Sequence, residues 1–154
     1  MRHQLDSRIT EIERFIARAT ARDVPEELQS YLARFGAVLV CGFVERSVET
    51  IIVERLNRRA HERVLNFIRS HFKRGTNYDK DAIEQLLLRF DSNWYRNFRT
   101  FIESNQDVEV GISSLYGVRN SVAHGGTNSL EPKRLTELFD ISKKLIEGLI
   151  KATE

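Results

Sequence analysis

Apolar residues recur at three- and four-residue steps along almost the whole chain, and this helical period constrains the fold more than any other feature. The step is clear at Ile9, Ile12 and Ile16 near the amino terminus. Only two prolines and eight glycines interrupt 154 residues, of which 41% are hydrophobic. No strand pattern, internal repeat or Pro/Ser-rich linker is present. The sequence therefore predicts an all-α bundle of five to seven helices, and we expect residues 1–154 to form a single domain.

Capping and turn residues predict where the helices begin and end. A first helix covers residues 4–21. A long central helix begins near Pro25, because proline is tolerated in a first helical turn and no turn signal follows the apolar run 36–44. The third helix is predicted to end at Gly75-Thr76-Asn77, the fourth to begin at Asp79 or Asp81, and the fifth at Asp91 or Ser92. The sixth is predicted to run from Asp107 to an end at Gly125-Gly126, and a last helix covers residues 130–152.

Positive charge is local rather than global, since 24 basic residues are nearly balanced by 22 acidic ones. Residues 55–74 hold seven basic residues against Glu62 alone. Such a cluster is a candidate RNA surface, with Arg55, Arg58, Arg59 and Arg63 as the expected contacts. The alternative is a solvated helix face whose arginine stems cover apolar neighbours.

Cysteine usage and hydropathy indicate a cytoplasmic protein. Cys41 is the only cysteine and lies in an apolar run, so an internal disulfide is impossible and a buried, inert thiol is expected. The amino terminus lacks the apolar stretch of a secretory signal, and the longest apolar run has nine residues, too few to cross a membrane. No Cys/His cluster or Walker loop is evident, so we expect neither a metal nor another cofactor.

Arg119 and His124 at the predicted end of the sixth helix have the chemistry of a phosphodiester site. An arginine offers a fork of donors to phosphate oxygens, and a histidine exchanges protons near neutral pH. The spacing alone arises by chance, as Arg55 and His61 demonstrate, so the position at a helix end before two glycines is the informative part. On a regular helix the two side chains point about 140° apart. The two side chains can meet only if the last helical turn unwinds, if the long arginine side chain bends around the helix, or if a second copy of the helix completes the site.

The segment Arg119-Asn120-Ser121-Val122-Ala123-His124-Gly125 resembles the Arg-x4-6-His signature of the HEPN superfamily, small helical domains that include many metal-independent RNases. The order and spacing of further segments over residues 32–150 resemble its RiboL-PSP-like branch. These segments are Cys41-Gly42-Phe43-Val44-Glu45-Arg46, Leu86-Leu87-Leu88-Arg89-Phe90 followed by Trp94 and Phe98, and the block from Leu115 to Gly125.

The resemblance implies a HEPN-like helical bundle with a long central helix, forming a homodimer whose cleft lies between two motif helices and takes RNA as substrate. It implies Arg119 and His124 as the catalytic pair, with Asn120 and Glu45 as supporting residues. Some HEPN proteins carry a tyrosine two residues after the histidine. Here that residue is Gly126, so modification of such a tyrosine by a partner nucleotidyltransferase is not supported.

Three hypotheses on function follow. The first is a metal-independent endoribonuclease of the defence or toxin type, which leaves a 2′,3′-cyclic phosphate and a 5′-hydroxyl and is restrained by an antitoxin or a paired regulatory protein. The second is a noncatalytic HEPN domain that binds RNA, a nucleotide or a partner subunit. The third is a helical scaffold or DNA-binding protein. At residue level, His124 could instead serve the carbonyls at its helix end, and Arg119 could pair with Glu45.

Overall fold

The computed structural model describes residues 1–57, 59–72, 76–126 and 129–154, and within these ranges it contains seven α-helices and no strand. In chain order they are α1 (Arg2–Ala19), α2 (Glu26–Leu56), α3 (Glu62–Phe72), α4 (Lys80–Phe90), α5 (Ser92–Glu103), α6 (Gln106–Ala123) and α7 (Pro132–Ala152). The predicted all-α bundle is therefore confirmed.

The central helix of the bundle is α2, around which α1, α3, α6 and α7 pack. Its 31 residues give it a length of about 46 Å. Because several neighbours cover it, α2 is apolar on more than one face, and Val40, Val44, Val48 and Ile51 are fully buried. The prediction that the apolar run 36–44 belongs to a long helix is confirmed.

The remaining core comes mainly from α5 and α7, which pack on each other. One face of α5 buries Trp94, Phe98 and Ile102, at the helical spacing that predicted them as core. The predicted inward positions of α7 are all buried, namely Leu135, Leu138, Phe139, Leu145, Ile146, Leu149 and Ile150.

Local capping signals explain the starts of α4 and α5. The carboxylate of Asp79 accepts a hydrogen bond of 2.9 Å from the backbone N–H of Ala82, and Asp91 accepts one of 2.6 Å from Asn93. Each bond satisfies an N–H that the first turn of a helix leaves without an intrahelical partner. Both aspartates were among the predicted caps.

One predicted boundary, the start of α6, is wrong by two residues. The cap residue of α6 is Asn105 rather than Asp107, which lies inside the first turn and pairs instead with Lys144 of α7 at 2.9 Å. The third helix is described as far as Phe72, and its predicted end at Gly75-Thr76-Asn77 adjoins residues 73–75, which lie outside the described residues. Gly75 itself lies outside the described residues, as do Arg58, Lys73 and Arg74 of the basic segment.

Some apolar residues at helical spacing are exposed rather than buried, notably Phe67 on α3, Leu88 on α4 and Val110 on α6. Among the described helices only α2 approaches α3 closely, so the outer side of α3 has no neighbour to bury it. Apolar spacing therefore predicted the helices correctly, but it did not predict that these three side chains would be exposed.

Within the same ranges, no helix combines the length and the apolar composition needed to cross a membrane.

Candidate active site at the end of α6

Two glycines terminate α6 directly after His124. The N–H of Gly126 donates to the carbonyl of Ser121 at 2.7 Å, and that of Gly125 donates to the carbonyl of Val122 at 3.2 Å. This pair of bonds is the Schellman arrangement, which needs a left-handed residue, and Gly125 has φ of +74°. The predicted helix end is confirmed, and it places the exposed His124 side chain at the cap position.

The position where some HEPN proteins carry a tyrosine has no room for a side chain. A Cβ atom built on Gly126 would overlap Oγ of Ser121 and lie 3.0 Å from the Ser121 carbonyl oxygen. The Schellman closure itself creates this crowding, because it folds Gly126 back onto the last turn. Gly126 is thus part of the helix end.

Arg34 of α2 ties the peptide after His124 to the central helix. Its guanidinium donates to the carbonyl of Gly126 and lies 5.9 Å from the ring centre of Tyr31. Its Nε is buried and has no hydrogen-bond partner among the described residues. Sequence reasoning missed Arg34. The available signal was a lone charge within an otherwise apolar stretch of α2.

Arg119 lies half-buried on the inner side of α6, where its guanidinium is oriented by Asn120. Nη1 of Arg119 donates to Oδ1 of Asn120 at 3.2 Å, and the same oxygen accepts from Nδ2 of Asn77 at 3.4 Å. Asn77 belongs to the segment between α3 and α4. The amide oxygen of Asn120 thus accepts both bonds, and it orients the arginine.

This geometry excludes one of the three routes by which Arg119 and His124 could converge. α6 stays helical to Ala123, so the last turn does not unwind. The Arg119 guanidinium reaches the neighbouring Asn120, and on a regular helix the backbone position of Asn120 points about 40° from that of His124. The third route, a second copy, involves a chain that this structure does not contain.

Glu45 of α2 lies near Arg119 in a partly buried polar cluster. Burial raises the pKa of this carboxyl above its ordinary 4.5, and the nearby charges of Arg119 and Arg46 act in the opposite direction. Among the described residues, no carboxylate comes within 4 Å of the Arg119 guanidinium. The structure therefore places Glu45 beside the arginine without the direct ion pair that was the alternative interpretation.

Two tyrosines complete the cluster around Glu45. Burial raises the pKa of both Tyr78 and Tyr116, with a smaller contribution in the same direction from the Glu45 charge. The Tyr116 hydroxyl is buried and has no hydrogen-bond partner among the described residues. Neither tyrosine was singled out from the sequence, because both resemble ordinary core aromatics there.

Cys41 lies one helical turn before Glu45 and is buried. It is 1% exposed, and burial, with a smaller contribution from Glu45, raises its thiol pKa to about 12. A thiol that stays protonated at neutral pH is a poor nucleophile. The predicted buried, inert thiol agrees with this environment.

The face of α6 that carries His124 is uncovered. Val110, Ser113 and Gly117 share this face within about 40° of the histidine and are all exposed. A Cβ atom built on Gly117 meets nothing within 4 Å in the described part of the chain. This face of α6 is therefore exposed from Val110 to the imidazole of His124.

In the basic segment, some described arginines are hydrogen-bonded within the protein and others are exposed. Arg55 is half-buried and donates to the Ile150 carbonyl at 2.9 Å and to the Thr153 hydroxyl at 3.2 Å. It is better explained as a C-terminal cap of α7 than as an RNA contact. Arg59 and Arg63 are exposed, as an RNA surface requires, and Arg58 lies outside the described residues.

Three of the expected site residues thus come together, namely Arg119, Asn120 and Glu45, while His124 lies on the adjoining outer face. In the ranges that the structure covers, no group of three His, Cys, Asp or Glu side chains is arranged to hold a metal ion.

Comparison with known proteins identifies one family. The family model for RiboL-PSP-HEPN matches residues 3–154. No curated protein and no solved structure matches the chain.

Proposed function

We propose, because this chain belongs to the RiboL-PSP-HEPN family, that it is a metal-independent endoribonuclease acting as a homodimer. The observation that carries the proposal is the orientation of Arg119. Asn120 holds its guanidinium by a hydrogen bond, and His124 is exposed at the end of the same helix. An oriented cation and an accessible imidazole are groups that cleavage of an RNA phosphodiester requires.

The reaction would begin with attack of the substrate's 2′-hydroxyl oxygen on the adjacent phosphorus. A base takes the 2′-hydroxyl proton, the bond from phosphorus to the 5′-oxygen breaks, and an acid protonates that oxygen as it leaves. His124 would serve as base or acid, with the partner's copy in the opposite role, and Arg119 would stabilise charge on the nonbridging oxygens. The products would be a 2′,3′-cyclic phosphate and a 5′-hydroxyl.

The homodimer is proposed from the family resemblance and from the uncovered face of α6. Gly117 and Ser113 allow a second helix to approach closely, and the exposed Val110 would gain burial there. A twofold axis beside this face would bring both copies of His124 and both Arg119 side chains to one cleft.

Asn120 and Glu45 would act as positioning residues. Asn120 orients the guanidinium through a direct hydrogen bond. Glu45 supplies negative charge behind it at a half-buried position, which favours an inward-pointing cation. By family resemblance, we further propose an activity of the defence or toxin type and a restraining antitoxin or regulatory protein.

The test is cleavage of single-stranded RNA in excess EDTA. We expect the parent to cut and H124A and R119A to lose all measurable cleavage, with cyclic-phosphate ends identified on the products. H3A is the matched control, since His3 is an exposed histidine on α1 with no role in the proposal. Equal residual cutting by all four proteins would indicate a contaminating nuclease and overturn the assignment.

A noncatalytic RNA-binding domain is the second candidate. It is favoured by the same internal bonds, because an arginine that is half-buried and bonded to Asn120 already has a structural role. RNA binding without cleavage would support this candidate. The parent and H124A should then bind RNA equally well, and high salt should weaken both to the same degree.

A further inference from the structure

An apolar pocket between α3 and α4 has no role in the site described above. Its walls are Ile68, Phe72, Leu86 and Phe90, and its volume is about 250 Å³. Phe67 also lines it and is 72% exposed, more than any other large apolar side chain described. An aromatic ring left in water beside an open apolar pocket is a common sign of a binding surface.

Two arginines lie at this pocket. Arg89 lines it directly beside the imidazole of His71, and Arg63 lies one helical turn before Phe67 on the same side of α3. Among the described residues neither Arg63 nor Arg89 is paired with a carboxylate, whereas Arg69 pairs with Glu62 at 3.1 Å. Aromatic rings with unpaired cations beside them are the usual surface for unpaired nucleotides, whose bases stack while their phosphates bind the cations.

The pocket is connected to the Arg119 site. The ring centres of Phe72 and Tyr78 are 6.3 Å apart, so the pocket wall touches the segment between α3 and α4. The residue before Tyr78 is Asn77, which donates to Asn120, the residue that orients Arg119. A short path of direct contacts therefore joins the pocket to the guanidinium.

We propose that this pocket binds one base of single-stranded RNA, stacked on Phe67, on the same strand as the phosphate that Arg119 would hold. The inference rests on the proposed function for the identity of the ligand. Bases within a duplex are already stacked on one another, so only an unpaired nucleotide can enter. A protein helix is the competing occupant. A helix would have to cover Val64 as well as Phe67, and, unlike RNA, it has no negatively charged backbone for Arg63 and Arg89 to bind.

Binding to a short single-stranded oligoribonucleotide tests this proposal in the H124A background, in which the RNA stays intact. We expect F67L to weaken binding by about 5-fold, the lower end of the range for replacing a stacked aromatic residue by alanine. Leucine keeps the apolar contact and removes the flat ring. V64T is the matched control, because Val64 is a half-exposed apolar residue one turn earlier on the same helix, and it should bind as the background protein does.

An oligonucleotide series with one base removed at each position in turn identifies the stacked nucleotide. At one position only, base removal should weaken binding at least as much as F67L does, and adding F67L to that base removal should weaken it no further. The R89Q variant should instead reduce the dependence of binding on salt, by about 0.7 in the logarithmic slope for one lost phosphate contact.

Equal binding by F67L and the background protein would overturn the base pocket. So would equal weakening by F67L and V64T, or a change in oligomeric state with either, because both results indicate a protein interface. A parent that binds through Phe67 but never cleaves RNA would overturn the nuclease assignment and leave the base pocket standing. Absence of any single-stranded RNA binding would overturn both.

Discussion

Replacement of Gly117 by glutamine should make the folded chain more stable and the proposed enzyme less active. Gly117 lies inside α6 on the face shared with His124, and an added Cβ meets no described atom within 4 Å. Glycine costs about 0.8–1.0 kcal/mol relative to alanine inside a helix, and glutamine is close to alanine. The monomer should therefore gain about 0.5–1 kcal/mol, which corresponds to a rise of about 1–4 °C in Tm for a domain of this size.

The same side chain would obstruct the proposed contact between two copies of α6. Overpacking a well-fitted surface costs about 1–3 kcal/mol for each inserted group, and a twofold axis inserts two. We therefore expect dimerisation to weaken by about 30-fold or more. Cleavage at a fixed low concentration should fall with the dimer fraction and recover as the protein concentration is raised.

The measurements are unfolding at the lowest usable protein concentration, sedimentation across a concentration series, and RNA cleavage at each concentration. T100Q is the control, because it adds the same side chain at an exposed position of α5 and should leave the dimer and the activity unchanged. If G117Q dimerises and cleaves as the parent does, α6 does not form the dimer contact. If it loses stability, the reasoning about open space at Gly117 is wrong.

Three further outcomes are expected. The raised pKa of Glu45 means that the folded chain binds a proton more tightly there than the unfolded chain, so stability should fall as pH rises from about 4.5 through the raised value. E45Q should flatten that part of the urea-unfolding profile, and an unchanged slope would show that other groups cause it. With a pKa of about 12, only about one Cys41 thiol in ten thousand is ionised at pH 8, so an alkylating reagent should label it only after unfolding; rapid labelling of the folded protein would contradict its burial. R55Q should lower Tm, because the α7 carbonyls lose their cap, and leave RNA affinity unchanged; a selective loss of affinity would restore Arg55 as an RNA contact.

Features determined by neighbouring residues were predictable from the sequence. The caps at Asp79 and Asp91 and the helix end at Gly125-Gly126 depend on side chains within a few positions of the backbone groups they satisfy. The apolar period likewise determined the helices, because each needs one face that it can bury.

Features determined by distant parts of the chain were not predictable in this way. Asn77 lies 43 residues before the Asn120 that it holds, and Arg55 lies 95 residues before the Ile150 carbonyl that it caps. Nothing in the local sequence distinguishes these side chains from solvated ones. The family resemblance predicted Arg119, Asn120 and Glu45 as site residues, but only the fold places the arginine and the asparagine in contact with each other and Glu45 near them.

The bond from Arg34 to the Gly126 carbonyl joins two points that are 92 residues apart in sequence. The peptide after the histidine therefore acquires this anchor only when α6 has docked on α2. The hydrogen bonds that close the helix end are local and do not need that docking. Undocking of α6 would thus release the Gly126 carbonyl from Arg34 while the turn that follows His124 keeps its own bonds.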